Sequence, residues 1–419
     1  MSSKIGLIGV GGHGRSHLNT LREFEIDGTA CLAAAADPFF ETHEASARTE
    51  LEDAGCRCYS DYRSMLDRHP DLDLIVIVAP IPLHMEMIRI CLQYRSFIYV
   101  EKPPVPTLAQ LEELILLDQG KRVTVGFQMI SMPAVVRIKE WIRQGRLGAI
   151  RHIAAGANWP RADLYYQRAR WAGKLTLDGE PVLDGPASNA LSHILQNIMF
   201  FAGDDKSVFA EPQWVTAGFY RARPIESYDL ASIRGGFVSG AEFTAVLSHC
   251  STDVVPFSII VQGDKGNAWI AENGKTFGMN LGIDSHSEGE NPAVASSIFY
   301  RETLAWVRGE RREPVVSLSD CRGYLKTIGG GLTSSGAVHS IPPSDWQISG
   351  EGENRVYHVH GLSDAIRNSL EKNLALEELP DLRWTQPGRP IPTDAVDAKA
   401  LTPDWLPRPR GADVASCGV

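Results

Sequence analysis

Gly9-Val10-Gly11-Gly12-His13-Gly14 places glycines at the spacing G-x-G-x-x-G directly after an apolar run, Lys4-Ile5-Gly6-Leu7-Ile8. Gly9 permits a tight turn, Gly11 lets the backbone approach a pyrophosphate, and Gly14 lets a following helix pack close to the strand. Gly12 and His13 complete the loop. A helix starting there aims its unpaired N–H groups and positive dipole end at phosphates. A second apolar run, Cys31-Leu32-Ala33-Ala34-Ala35-Ala36, ends at Asp37, whose carboxylate can accept both ribose hydroxyls of an adenosine half. The chemistry these residues point to is dinucleotide binding. Asp37 also selects between cofactors, because a 2′-phosphate beside it would bring like charges together. The next residues, Pro38-Phe39-Phe40-Glu41, offer no cation, so NAD is favoured over NADP. Arg48 is the residue that would reverse this preference by swinging in.

A second reactive group follows the fourth expected strand, in Val100-Glu101-Lys102-Pro103-Pro104. The carboxyl end of a strand in a doubly wound sheet faces the cofactor crevice. Pro103 restricts the backbone of Lys102 to extended geometry, which aims the ammonium. A lysine so placed can hydrogen-bond a substrate oxygen and stabilise the alkoxide that forms there.

Together with Ala79-Pro80-Ile81-Pro82-Leu83-His84, Val125-Gly126-Phe127-Gln128 and Ile142-Arg143-Gln144-Gly145-Arg146-Leu147-Gly148, these motifs resemble the glucose–fructose oxidoreductase/inositol dehydrogenase (Gfo/Idh/MocA) family. The resemblance covers about the first 150 residues well and the remainder more loosely. It implies a Rossmann domain followed by a domain built on an open-faced antiparallel sheet. It also implies that Lys102 is the catalytic-site lysine, that Pro80 and His84 lie in a loop beside the nicotinamide ribose, and that Glu101 fixes that end of the cofactor; Gln128 joins the cofactor set. The family's second signature, D-x-G-x-H-x-x-D, aligns with Asn189 to Gln196 and makes His193 the counterpart of the catalytic histidine. Asn189, Leu191 and Gln196 replace the first Asp, the Gly and the last Asp. Asn189 and His193, four apart, would share one helix face. A neutral His193 can accept a hydroxyl proton, whereas Asn189 can only orient a hydroxyl. Asp184 is the neighbouring carboxylate able to replace the lost Asp electrostatically.

Trp159-Pro160-Arg161, Tyr165-Tyr166, Arg168 and Trp171 form an aromatic and basic cluster after the first strand of the second domain. Aromatic faces stack on the C–H faces of sugar rings, while Arg and Tyr bond ring hydroxyls. The same residue types dominate subunit interfaces. Trp159, Arg161, Tyr165, Tyr166 and Trp171, with Asp184 and Asn189, are the candidate substrate residues. The remaining histidines are scattered, and His358 and His360 share a strand face without a carboxylate cluster, so no metal site is expected. Gly329-Gly330-Gly331 reads as a flexible loop.

These residues need a scaffold of alternating strands and helices. Strands are expected near 4–9, 31–36, 74–79, 97–100 and 122–127, with helices over 16–24, 39–54, 62–67, 84–93 and 107–119. After a helix over 135–144, short β-rich runs at 149–158, 213–220, 230–238, 241–250, 257–263 and 266–271 suggest an antiparallel sheet with one open face, followed by helices over 298–310 and 319–333. The fold class is therefore α/β plus α+β. The expected divisions are a Rossmann domain over 1–130, a substrate and oligomerisation domain over 131–380, and a proline-rich extended arm over 381–419. A net charge of −10 argues against nucleic acid or an anionic membrane as the main partner. No apolar run reaches 18 residues, a strand begins by residue 4, and the seven cysteines show no zinc or C-x-x-C spacing, so a cytoplasmic protein is expected. A homodimer or homotetramer through the open sheet, and a small carbohydrate as ligand, complete the expectation. The activity implied is oxidation of a sugar, polyol or glycoside hydroxyl. Glycoside cleavage through transient oxidation by bound NAD is the alternative, and a non-catalytic NAD-bound sensor is a third.

Overall fold

The computed structural model describes residues 2–251, 253–282 and 284–393. The chain divides into two compact units, one comprising 1–105, 110–128 and 294–319, the other 106–109, 129–293 and the chain from 320 onward.

In the first unit, strands β1 (Ser3–Ile8), β2 (Ala30–Ala36), β3 (Arg57–Tyr59), β4 (Leu74–Ile77), β5 (Phe97–Glu101) and β6 (Val123–Gly126) form a parallel sheet in the order 3-2-1-4-5-6. Helices α1 (Gly14–Ile26), α2 (Ala45–Asp53), α3 (Tyr62–Arg68), α4 (Ile81–Cys91) and α5 (Leu108–Leu117) connect the strands. The order reverses beside β1, and the carboxyl ends of β1 and β4 open the crevice there. Every residue of β4 is buried, as a parallel strand covered on both faces requires. The three-residue edge strand β3 escapes the pattern because it is too short and too exposed to show a period. Helix α2 starts six residues later than expected, since Asp37 Oδ1 accepts the Phe39 N–H and turns the chain after β2.

In the second unit, α6 (Pro133–Arg143) leads to β7 (Ile150–Asn158), the short helix α7 (Asp163–Gln167), the hairpin arms β8 (Thr176–Leu177) and β9 (Glu180–Pro181), and helix α8 (Ser192–Ala202). Then come β10 (Pro212–Arg221), β11 (Leu230–Phe237), β12 (Glu242–Ser248), β13 (Val255–Gly263), β14 (Gly266–Ala271), β15 (Thr276–Leu281) and β16 (Asp284–Gly289). The chain next gives α9 (Ala295–Val307) to the first unit, and α10 (Arg322–Ser335) and β17 (Val338–Ser340) to the second. The hairpin of β18 (Trp346–Ser349) and β19 (Val356–Val359), helix α11 (Leu362–Lys372) and β20 (Ile391–Pro392) follow. The main sheet runs 16-15-14-13-7-12-11-10-17, with β20 beside β10. It is mixed rather than antiparallel, because β7 pairs parallel with β12 and β10 parallel with β17.

The expected open face is covered by the chain itself over the middle of the sheet. On β10, Ala217 and Phe219 lie against Gly331 of α10, while Gly218 and Tyr220 on the opposite face meet Glu377. On β7, Gly156 allows α11 to approach so closely that a Cβ there would lie 2.9 Å from Ile366 Cγ2. Tyr220, Leu230, Val246, Val255, Leu362, Ile366, Leu376 and Leu379 share one buried cluster. The triple glycine at 329–331 is therefore part of a packed helix, not a loop. The segment 294–319, expected in the second domain, packs with the first unit. Most of the expected proline-rich arm lies outside the described residues; its described start contributes β20. No helix among the described residues is long and apolar enough to cross a membrane.

Candidate functional site

The glycine loop has the geometry its spacing predicts. Gly9 sits at φ +90°, and a Cβ on it would fall 2.4 Å from Val78 O. A Cβ on Gly14 would fall 2.3 Å from Gly9 O, so the start of α1 lies directly on the turn. Gly12, at φ +54°, faces open space. Helix α1 has no side-chain cap and no acidic residue in its first turn. Its positive end is left for an external anion, which fits the pyrophosphate of a dinucleotide.

Asp37 is buried at the end of β2. Its Oδ2 accepts Val10 N–H at 2.8 Å and Gly11 N–H at 3.3 Å, fastening the glycine loop to the strand. With Phe39 N–H on Oδ1, three of about four acceptor positions are used, and a ribose hydroxyl can take what remains. The nearby cations are already paired. Arg48 holds Glu41 and Glu52, and Arg15 holds Glu44 at 2.8 Å. Arg48 is thus engaged by two carboxylates rather than poised to swing toward a phosphate.

Glu101 closes β5 and is buried with a network that sequence reasoning missed. Its Oε1 accepts from His17 Nε2 at 3.1 Å and from Tyr99 OH at 3.3 Å, and its Oε2 accepts Lys102 N–H at 3.2 Å. Burial pushes the Glu101 carboxyl up. The His17 hydrogen bond and the charges of His17, His13 and Lys102 outweigh it, holding the group well below the usual carboxylate range. His17 Nδ1 meets Tyr300 OH at 2.5 Å, and Tyr300 stacks on Tyr99 at 5.1 Å between centroids. Tyr300 arrives on α9, nearly 200 residues after β5, which is why no local signal announces it. His13, Ser16, His17, Tyr99, Gln128 and Tyr300 line one small pocket, where Gln128 Oε1 is buried without a hydrogen-bond partner among the described residues. His13, half exposed, is lowered by burial, against the pull of Glu101. Donor atoms of His13, His17 and Glu101 lie within 4.8 Å of one another, a grouping the sequence did not suggest.

Pro80 caps α4, and His84 is not in a loop but buried within that helix. Its ring nitrogens face Pro103 O at 2.9 Å and Ala79 O at 2.8 Å. His84 therefore ties the β4–α4 turn to the chain after Lys102. Burial pushes its imidazole below the ordinary range. Lys102 itself is half-buried at the end of β5.

In the second unit, Asp184 is buried and already engaged. Its Oδ2 accepts Gly173 N–H at 2.7 Å and its Oδ1 accepts Asn189 Nδ2–H at 2.8 Å. It anchors the Asn189 side chain. Asn189 and His193 do not share one continuous α-helix, since Asn189 lies in a wider turn over Pro186–Ala190 and Leu191 breaks the helix before α8. That turn is clamped by two tyrosines absent from the sequence reading: Tyr228 OH accepts Ser188 N–H, and Tyr324 OH donates to Ser188 O. His193 is buried in the first turn of α8, and Gln196 Nε2 donates to Asp320 O at 2.9 Å.

The aromatic cluster does assemble. The Arg168 guanidinium stacks 3.6 Å from the Tyr165 ring centre and 4.6 Å from that of Trp171, and Arg161 lies 4.8 Å from Tyr165 and 5.9 Å from Trp159. Tyr166 turns away to stack with Arg223. His249, outside the candidate set, is buried beside this cluster, with its ring edge on Tyr165.

A parallel sheet of this order with a glycine loop and strand-end acid defines a dinucleotide-binding Rossmann unit. Residues 3–128 match the model of the oxidoreductase family with an NAD-binding Rossmann fold (GFO/IDH/MocA), and residues 135–269 match the C-terminal domain of the same family. The chain belongs to this family. It is 30% identical over 152 residues to the inositol 2-dehydrogenase/D-chiro-inositol 3-dehydrogenase of Lacticaseibacillus casei, a match covering 36% of this chain and 42% of the relative. A dehydrogenase of Aspergillus oryzae, aclE, is 24% identical over 276 residues, or 62% of this chain and 70% of the relative. The match thus spans less than half the length of the inositol dehydrogenase. Among solved structures, the WlbA dehydrogenase of Bordetella pertussis, in complex with NADH and UDP-GlcNAcA, aligns with a TM-score of 0.65 at 21% identity, over 80% of this chain and 97% of that one. The segment from 338 onward that covers the sheet lies beyond the matched family residues.

Proposed function

We propose that the protein is an NAD-dependent oxidoreductase that oxidises a secondary hydroxyl of a sugar, polyol or glycoside. The observation that carries this reading is the uncapped start of α1 above the Gly9 turn, with buried Asp37 fastened to the same loop. Bound NAD would supply hydride acceptance at its nicotinamide. Gly9 to Gly14 and Asp37 would hold its pyrophosphate and ribose, with Glu101 and Gln128 at the other end. Asp37, Glu41 and Glu44 around the loop favour NAD over NADP, because Arg15 and Arg48 are committed to carboxylates. Lys102 would steady the substrate oxygen, its backbone held by Glu101 and the following chain by His84. His193 would accept the hydroxyl proton, with Asn189 held by Asp184 to orient a neighbouring hydroxyl. The inositol and other dehydrogenases among the relatives support a polyhydroxylated small molecule as substrate.

The test is NADH absorbance on mixing purified protein with NAD and a panel of sugars, polyols and glycosides, with products analysed in the same tubes. Accumulating NADH that disappears in Lys102→Met, with NAD affinity kept within several-fold, is expected. Cleaved glycoside without NADH would replace this reading by transient oxidation, and turnover by Lys102→Met would remove Lys102 from the mechanism.

A further inference from the structure

Beyond β7 the chain gathers a basic, aromatic cluster of side chains within the second unit. Trp159 N–H donates to Ser248 O and Arg161 N–H to His249 O, so the segment runs beside the end of β12. His249 is 1% exposed, and its Nδ1 lies 2.9 Å from Trp159 O. Only a protonated nitrogen satisfies a carbonyl, so Nδ1 is the donor and Nε2 of the neutral ring carries a lone pair. The surrounding charges agree: burial first, then Arg161, push the His249 imidazole down to about 3. Nε2 is buried and meets no donor among the described residues.

Arg161 is the complementary feature. Its Nε is also buried without an acceptor among the described residues. The neighbouring charges are otherwise matched. Asp163 receives Nε of both Arg223 and Arg355 at 2.8 Å, Asp229 lies 3.8 Å from Arg223, and Asp184 lies 3.9 Å from Arg168. Among the described residues, no carboxylate lies within ion-pair distance of Arg161. A buried donor on a cation and a buried acceptor beside it, each unspent, are costly unless a ligand uses both.

We propose that Arg161 and His249 recognise a carboxylate-bearing polyhydroxy ligand, a sugar acid, whose carboxylate pairs with Arg161 and whose neighbouring hydroxyl donates to His249 Nε2. The proposal rests on the reading of this unit as the substrate-binding part, and narrows the substrate to a monoanion. An Nε edge suits the paired oxygens of a carboxylate, and one surplus positive charge matches one negative charge. Tyr165 and Trp159 hold the Arg161 guanidinium against their rings, which fixes where it would meet a ligand. A phosphate ester shares part of this chemistry, so the test separates the two.

Calorimetric titration of the full chain, with NADH present, would compare D-glucuronate with D-glucose, D-galacturonate with D-galactose, D-mannonate with D-mannitol, and D-glucose 6-phosphate. At least one acid should bind ten-fold or more tightly than its neutral counterpart. That ratio should fall to within three-fold in Arg161→Gln and recover in part in Arg161→Lys, which restores the charge. Equal binding across every pair in the wild-type protein would overturn the proposal without any variant. So would a preference that survives in Arg161→Gln, or a stronger Arg161-dependent preference for the phosphate. Calorimetry reads binding without turnover, so an acid that binds but yields no NADH would sink the dehydrogenase reading alone.

Discussion

His249 shows how strongly place can set the chemistry of one side chain. Free histidine titrates near 6.5, whereas burial and the charges of Arg161, Arg223 and Arg168 push this ring down to about 3. The unfolded chain therefore binds a proton below about pH 6.5 that the folded chain refuses, and stability falls as pH drops through that window. Between pH 7 and pH 5 this residue should remove about 2 kcal/mol, measured by denaturant unfolding, and His249→Gln should flatten that part of the profile. Asp37 acts through its place, at the end of β2 with its Oδ2 on the glycine loop. Asp37→Ala should relax the preference for NAD over NADP at least ten-fold in kinetic comparison, while also loosening the loop it fastens through Val10. Unchanged discrimination would place the acid away from the ribose. The turn at Gly9, the strand end at Asp37 and the place of Lys102 directly after β5 were legible because a local pattern carries each of them. His17, Tyr300 and His249 were not, because burial and partners brought from distant segments give them their character, and no spacing records that.

Helix α8 carries His193 and is held at its far end by Lys139 of α6. The Lys139 ammonium is buried, donates to Gly203 O at 2.7 Å and to Phe200 O, and so closes the carboxyl end of the helix. Burial, then the charge of Arg143, push it down to about 8. The unfolded chain keeps this proton to about pH 10.4, so between the two values the unfolded state holds more protons and stability rises with pH. Wild type should gain about 2 kcal/mol on Lys139→Met from pH 8 to pH 10 in paired unfolding curves. Parallel curves would show the ammonium to be solvated. Apart from β3 and the late start of α2, the strands and helices of the first unit were legible to within a few residues, because buried parallel strands read as continuous apolar runs. β15 and β16 were missed: Phe277, Met279 and Leu281 do alternate, but over only six residues and broken by Gly278 and Asn280, and Asp284–Gly289 is polar throughout.

Taken whole, the molecule differs most from expectation where its last described segment lies. The face of the main sheet reserved for another subunit is occupied over β7 and β10 to β13 by α11 and the residues around it. Ile366, fully buried against Gly156, is a direct probe. Ile366→Asp should lower stability by several kcal/mol and expose apolar sheet surface, read as dye binding or self-association in light scattering. A stable variant with an unchanged sedimentation profile would show that this cover is dispensable. The sequence could not reveal the cover, because its apolar residues, such as Leu362, Ile366 and Leu370, read equally well as part of any amphipathic helix.

The path of the chain also sets an order of manufacture. Strands β1 to β6 leave the ribosome first, yet the stretch 294–319 that carries Tyr300, which stacks on Tyr99 and meets His17, returns only after about 165 intervening residues. At roughly 5–20 residues per second, that interval lasts on the order of 8 to 33 seconds. During it the nascent first unit has Tyr99, Phe97 and His17 uncovered, and an intervening unit of its own size or larger must emerge before α9 returns. A fragment cut after residue 128 stays in that unfinished condition permanently, whereas one that rejoins 294–319 by a linker has every part of the unit that the native chain brings together.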